Sequence, residues 1–277
     1  MSEQTGPRYG TIDQAYGLKL ATTVADDDGP VWMVNLMKYR EVADYADGRE
    51  STVTGEEADD LYSPLDSLAA VGAAPVLFGD VDQQLLGDET VWDRVAVVKY
   101  PTRRSFTEMQ SLPTFQESHK HKDAGMQSTI VMGTQPMPQP DAPAGFTPVD
   151  WADVPYPPTA EDGPVVVVHV LRFHDADAAN ATPTHMEQYQ SEAAKVALRH
   201  GVRINGWFAV EGTIIGDGRA WHQVRFNEFP SKAAFMAVVT DPARLEAQKD
   251  HREVAIADTY TMIVRAGLNM LTASIKA

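Results

Sequence analysis

Val31-Trp32-Met33-Val34-Asn35-Leu36-Met37 is apolar on both alternating faces except at Asn35, which predicts a strand buried on both sides. Residues 41–56 are charged, contain glycine and read as a loop. Leu61, Leu65, Leu68 and Ala69 then recur at helical spacing up to Gly72, a C-terminal stop. Val76 to Leu86 and Val91 to Tyr100 read as two strands around a Gly87-Asp88 turn. After Pro101, Thr102 is an N-cap for a helix through Phe106 and Met109. A further helical turn carries Phe115 and His119, and Ser128 to Met132 is the last strand. The order is β-α-β-β-α-β.

The pattern occurs twice. Shifted by 129 residues, Gly72, Val81, Gly87, Asp88, Trp92, Val95, Pro101 and Phe106 fall on Gly201, Val210, Gly216, Asp217, Trp221, Val224, Pro230 and Phe235. A shift of 132 then places His119 on His251 and Thr129 on Thr261. Repeats of solenoids are far shorter, so a period near 130 residues reads as a duplicated domain. In the second copy Val165 to Leu171 is a strand, and Thr184-His185-Met186-Glu187 is a capping box opening a helix that Gly201 closes. Ile204 to Ile215 and Ala220 to Phe229 form the hairpin, Ser231 caps the next helix, and Tyr260 to Val264 ends the unit.

The expected class is therefore α+β, with two tandem ferredoxin-like units closing face to face as an intramolecular barrel. The expected boundaries are an N-terminal extension over 1–27, units over 28–134 and 164–272, and a Pro-rich linker over 135–163. The extension, ending in Asp26-Asp27-Asp28, reads as a loosely docked arm without chemistry. On the third strand of each unit Val95 and Val97, matching Val224 and Phe226, suit a face under helices. The alternate row, Trp92, Arg94, Ala96, Val98 and Tyr100 against Trp221, Gln223, Arg225, Asn227 and Phe229, mixes aromatic with polar groups and is assigned to a ligand cavity inside the barrel. Asn35 and His169, at matching positions of the first strands, are placed on that interior face because their polarity needs satisfying.

Composition changes the picture by exclusion. A hydrophobic content of 43% and a charged content of 22% are those of a globular protein. A net charge of −16 over 277 residues argues against nucleic acid or an anionic membrane as partner. No apolar run spans a bilayer, the first residues lack a secretion signal, and there is no cysteine, so the expected location is cytoplasmic. No Gly-rich phosphate loop, nucleophile elbow or His-Glu-X-X-His pattern is present.

The residues Asn35-Leu36-Met37-Lys38-Tyr39-Arg40, Trp92-Asp93-Arg94-Val95, Tyr100-Pro101, Phe106 and His119-Lys120 resemble a branch of the dimeric α/β-barrel superfamily, related to antibiotic-biosynthesis-type and heme-degrading monooxygenases. The second half keeps Arg172-Phe173, Trp221, Phe229-Pro230-Ser231, Phe235 and His251-Arg252. The resemblance implies one of several activities: cofactor-free monooxygenase, isomerase or cyclase, or heme protein. Asn35 and His119 fall on the asparagine and the iron-ligating histidine of the heme-degrading branch, whereas Met109 replaces its tryptophan.

The candidate catalytic residues are therefore His119, His251, Asn35 and His169: imidazoles to move a proton, Asn35 or His169 to hold an oxyanion. Trp92, Trp221, Arg94, Arg225, Asn227 and Tyr100 are candidate substrate contacts. For each a structural role competes: helix capping for the histidines, core packing for the tryptophans, ion pairs for the arginines. The leading expectation is a small-molecule enzyme without a nucleotide cofactor, monooxygenase- or isomerase-like, acting on an apolar or aromatic oxygenated metabolite. No cofactor or metal is expected on that reading; heme through His119 or His251 is the first alternative, and a non-catalytic binding or scaffold protein the second. The expected partner is a small-molecule ligand, the halves pairing as an internal pseudo-dimer that could associate further.

Overall fold

A computed structural model describes residues 7–143, 145–174 and 181–277. The first half contains β1 (Thr11–Ile12), α1 (Gln14–Thr22), β2 (Val31–Tyr39), α2 (Gly55–Tyr62), α3 (Leu65–Ala70), β3 (Ala74–Leu86), β4 (Arg94–Tyr100), α4 (Arg103–Gln110), α5 (Pro113–Gly125) and β5 (Met126–Pro136). The second contains β6 (Val165–Phe173), α6 (Thr184–Ala197), β7 (Arg203–Gly216), β8 (Gln223–Phe229), α7 (Lys232–Thr240), α8 (Pro242–Ala247), a π-helical turn Gln248–Arg252, α9 (Glu253–Ala255), β9 (Ile256–Asn269) and α10 (Leu271–Lys276).

Within the first half the strands lie in the order β5-β2-β4-β3, and within the second in the order β9-β6-β8-β7. The two sets join through β5 with β7 and β3 with β9, which closes an eight-stranded antiparallel barrel. The joining strands are longer than their sequence pattern suggests: β5 extends past Met132 to Pro136, and β9 runs from Ile256 to Asn269. A barrel of eight strands is just wide enough for its side chains to fill it. Val34, Leu36, Val95, Val97, Val168, Val170, Val224, Phe226, Met262 and Val264 all belong to that one interior cluster.

The interior is therefore dry, and the face assignment made from the sequence is inverted. Val95, Val97, Val224 and Phe226 point into the barrel; Asn35, Arg94, Ala96, Val98 and Tyr100 lie on the outer face, under helices. Trp92 and Trp221 do not share a row with Arg94, because β4 and β8 begin only at Arg94 and Gln223. Both indoles instead pack on Tyr260 at one end of the interior, at centroid distances of 5.6 and 5.2 Å. There the Tyr260 hydroxyl donates to Asp88 at 2.8 Å and Arg219 donates to the same carboxylate at 2.8 Å, tying the two hairpin turns together. The other end is closed by α10, whose Ser274 hydroxyl accepts from the Trp32 indole at 2.9 Å.

Three further expectations are corrected. The extension is docked: β1 pairs with β7, and Tyr16 of α1 lies over Gly133 and Gly212, where an added Cβ would stand 1.8 and 2.4 Å from its atoms. Its residues 1–6 lie outside the described residues. Asp28, at the end of that arm, accepts from the Arg103 amide at 2.8 Å, adding a second cap to α4 beside Thr102. Nor is there a capping box at Thr184: Pro183 is the N-cap of α6 and no side chain bonds there. A complete box does form at the start of α2, where Thr54 and Glu57 exchange bonds of 3.1 and 2.7 Å inside the stretch read as loop. The proline-rich segment is pinned along the second half, with Asp162 accepting from the Lys232 and Ala233 amides at 2.9 Å each.

The start of α2 meets the end of α5 at Gly55, where a Cβ would stand 2.4 Å from the Gly125 carbonyl oxygen and 2.5 Å from that of Arg40. Both obstacles are backbone and cannot swing aside. Gly55→Ala is expected to lower stability by about 2 kcal/mol or more, whereas Gly29→Ala, with nothing within 4 Å of its added methyl, stays near wild type in urea unfolding.

Candidate functional site

The outer face of the first four-stranded sheet carries a cross-strand row of Val131 on β5, Asn35 on β2, Ala96 on β4 and Phe78 on β3. Asn35 is central, and Ala96 beside it takes up little space. Helices α2 to α5 pass over this row and enclose a cavity of about 580 Å³. Its lining is mostly apolar, with Met33, Met37, Leu68, Phe106, Met109 and Phe115 among the walls. The polar exceptions include Asn35, His119, Lys122, Tyr9 and Tyr62.

The Asn35 carboxamide donates one N–H to the Met33 carbonyl at 3.0 Å, which fixes its plane. Among the described residues its oxygen and second N–H have no protein partner, so both can address a ligand. His119 reaches the cavity from α5. Its Nε2 lies 3.0 Å from the Tyr9 hydroxyl, and the rings of Phe115 and Tyr62 stand 5.1 and 6.0 Å from its own. Burial in this aromatic pocket, helped by Lys122, pushes the imidazole down to about 4, so it is neutral near pH 7. Lys122, on the same helix, has no ion pair or side-chain hydrogen bond among the described residues; its ammonium stands 5.2 Å from the centre of the Tyr62 ring, and burial lowers its pKa.

Arg94, though at the cavity wall, is saturated. Its guanidinium meets Asp80 and Glu56 at 2.7 Å each, Asp60 at 3.4 Å and Asp59 at 3.6 Å, and lies over the Phe78 ring. It therefore ties α2 to β3 and β4 and offers a ligand little unshared charge. Tyr100 is a buried wall whose hydroxyl approaches the Met109 sulfur at 3.5 Å.

The remaining candidates lie elsewhere. Trp92 and Trp221 are barrel core. His251 stands beside His185, with Nδ1 atoms 3.3 Å apart, and outside the cavity. The histidines are not equivalent: His119 precedes β5 by seven residues (119 to 126), His251 precedes β9 by five (251 to 256). The π-helical turn and α9 absorb the difference, so the sequence match aligned letters and not positions. His169, Arg225 and Asn227 sit in the second half; His169 lies 3.2 Å from the Thr261 hydroxyl, and Asn227 accepts from the Trp207 indole at 3.1 Å. His121 turns to the Tyr45 hydroxyl at 2.7 Å, away from His119, and among the described residues no cluster of three or more His, Asp or Glu could hold a metal ion. No helix among them is long and apolar enough to cross a membrane.

Tyr9 and Lys122 are functional candidates that sequence reasoning missed. Lys122 follows His119 by three residues on one helix face, a spacing visible in the sequence. Tyr9 gave no comparable signal, because its place depends on distant partners: the Thr129 amide, which donates to its carbonyl, and Asp44 and Asp123, which hold the neighbouring Arg8.

No protein-family model matches the chain, and no curated protein does. Among solved structures the chain is similar to a protein of unknown function from Rhodopseudomonas palustris, with 25% identity, covering 47% of this chain and 98% of that one at a TM-score of 0.41. It is similar to an anthrone oxidase-like protein, with 14% identity over 90% of this chain and 98% of that one, TM-score 0.48. A chlorite dismutase variant from Candidatus Nitrospira defluvii is similar over 95% of this chain and 100% of its own length, at 12% identity and a TM-score of 0.44. None of these likenesses assigns an activity to the chain.

His119 and His169 are both held neutral, at about 4 and about 3, against an ordinary value of 6.5. The unfolded chain therefore binds protons first as pH falls, so the stability they contribute is complete above about 6.5 and declines below it. Urea unfolding between pH ~7.5 and ~5, where most carboxylates stay charged, is expected to show a loss on the order of 4 kcal/mol, of which His119→Gln and His169→Gln each remove roughly half.

Proposed function

We propose that the chain is a member of the dimeric α/β-barrel superfamily, fused as two ferredoxin-like units over 28–134 and 164–272. We infer that it is a small-molecule enzyme, monooxygenase- or isomerase-like, acting on an apolar, aromatic oxygenated compound in the first-half cavity. The observation that carries this reading is the convergence of Asn35, neutral His119 and Lys122, which has no ion pair among the described residues, on one largely apolar cavity of about 580 Å³. Pockets of this size and composition hold flat hydrophobic ligands, oriented by a few polar groups.

Each polar group has a role its geometry permits. The free N–H of Asn35 donates to a substrate oxygen that gains negative charge as a neighbouring C–H or O–H is deprotonated. Lys122, when protonated, balances that charge in a medium of low dielectric constant. His119 has its imidazole in the proton-accepting state, and Tyr9 holds the ring in place. Return of the proton at another carbon gives isomerisation. Transfer of electrons from the anion to dioxygen gives oxygenation; for anthrone, one dioxygen per substrate yields anthraquinone and one water.

We favour the reading without heme. His251 lies outside the cavity, and His119 would have to surrender its bond to Tyr9 before Nε2 could reach a metal. Hemin titration is expected to give no Soret band that His119→Ala removes; a stoichiometric band lost in that variant would restore the heme reading.

The activity is tested by oxygen uptake with anthrone and other hydroxylated polycycles as probes. Asn35→Ala and His119→Ala are each expected to lower kcat/KM by about 10²–10⁴, and Tyr9→Phe by less. Full turnover in both alanine variants would discard the assignment.

A further inference from the structure

Several lysines of this chain pair with carboxylates at the surface: Lys38 with Asp93 at 3.0 Å, Lys195 with Glu192 at 2.7 Å and Lys232 with Asp82 at 2.8 Å. Lys120, exposed on α5, does the same with Glu117. Lys122, two residues further along that helix, turns inward. It runs beside Tyr62, with Nζ 5.2 Å from the ring centre, and forms part of the cavity wall together with Asn35 and His119. His119 and Lys122 are three residues apart on one helix, so they share a face one turn apart.

Asp59 is the carboxylate that favours the charged form of Lys122, but it is already engaged. It accepts from the Tyr39 hydroxyl at 2.7 Å and lies 3.6 Å from Arg94. Burial outweighs it and lowers the pKa of the amine, which raises the unprotonated share. Desolvation in an apolar pocket is how a lysine becomes a nucleophile. The cavity meets the other requirements of such chemistry. Apolar walls such as Met33, Phe106 and Met109 take up a flat ring system. Asn35 offers an N–H to a carbonyl oxygen, and neutral His119 can carry a proton from nitrogen to oxygen.

We propose that Lys122 forms an imine with a flat aromatic aldehyde or ketone held in the first-half cavity. The amine lone pair attacks the carbonyl carbon, a C–N bond forms, and the π pair of the carbonyl moves onto oxygen. Both amine protons end on that oxygen, the C–O bond breaks and water leaves. No electron is gained or lost, so no oxidant is required. The inference rests on this cavity being a small-molecule site, and not on the oxygenation or isomerisation proposed for it. Lys122 precedes β5 by four residues (122 to 126), and at the same distance before β9 stands Arg252 (252 to 256), whose guanidinium makes no imine with a simple carbonyl. The second half thus lacks this chemistry, and the fold accepts an arginine at that place.

The test is reductive trapping on the full-length protein with 1-naphthaldehyde and sodium cyanoborohydride, which reduces imines faster than aldehydes, followed by peptide mapping. Lys122 is expected to gain a naphthylmethyl group about 10-fold faster, or more, than the exposed Lys120. Lys122→Arg, folded with an unfolding midpoint near wild type, is expected to leave only the slow labelling of exposed lysines. Ala96→Phe fills the floor of the cavity beside Asn35 and keeps the amine, so it is expected to remove the advantage of Lys122. Wild-type labelling of Lys122 no faster than that of Lys120 would overturn the proposal, whatever the variants do. Fast labelling that persists in a folded Ala96→Phe would overturn the cavity as its place. If that variant does not fold, 1-naphthalenemethanol, which has the same rings and no carbonyl, serves instead: its failure to slow wild-type labelling overturns the cavity. Trapping needs neither dioxygen nor turnover, so its failure and a failure of oxygen uptake are read separately.

Discussion

Closure of the barrel is the constraint on which the other features depend. Eight antiparallel strands enclose a space that side chains alone can fill, and here Val, Phe, Trp and Met from both halves fill it. Once that space is dry, a polar residue of the sheet has only the outer face to occupy. Asn35 and His169 stand at the centres of β2 and β6 and face outward, toward helices. The chemistry is thus displaced from the shared interior to two separate layers between sheet and helix, one in each half. Two layers of the same design are free to differ, since neither has to complement the other.

They do differ, at one sheet position above all. In the first half Asn35 is flanked by Ala96 and Val131; in the second His169 is flanked by Arg225 and Thr261. Alanine leaves volume that the helices roof over, and the result is a cavity with an amide at its floor. Arginine fills the corresponding volume and brings charge, and the result is a cationic cluster around a neutral imidazole. The charge is handled differently as well. Carboxylates of α2 and β3 neutralise Arg94 and make it a structural tie, while among the described residues Arg225 donates to Gln223 and Thr182.

Much of this was legible in the chain. The β-α-β-β-α-β order, the Gly87 and Gly216 turns, the Thr102 and Ser231 caps and the pairing of Asn35 with His169 all follow from local rules: alternation, turn chemistry and capping. The face assignment failed because alternation gives two rows without saying which is inside. Polarity was taken as the mark of the interior, although the width of the barrel decides that question and sequence periodicity carries no width. His251 failed for a related reason. A π-helical turn changes the phase of a helix by a residue or more, and a letter-by-letter match cannot register that. Tyr9 and Asp28 were invisible because the partners that give them meaning, His119 and the start of α4, lie about 75 residues or more along the chain.

The arm shows why the two halves act as one molecule and not as neighbours. β1 adds to β7, a strand of the second half, and Tyr16 of α1 rests on Gly212 of that strand and Gly133 of β5. Arg103 at the start of α4 meets Glu211 of β7 in an ion pair shielded from solvent, with Asp28 close by. From this anchorage Tyr9 extends back to hold the imidazole of His119. Tyr9 is itself seated by the first half, where the Thr129 amide donates to its carbonyl at 2.9 Å and the neighbouring Arg8 pairs with Asp44 and Asp123. A first unit cut out at 28–134 would lack the arm, so its His119 would keep the aromatic walls and lose the hydrogen bond. The arm thus bridges the halves: Tyr9 joins it to the first, and β1 and Tyr16 join it to β7 of the second.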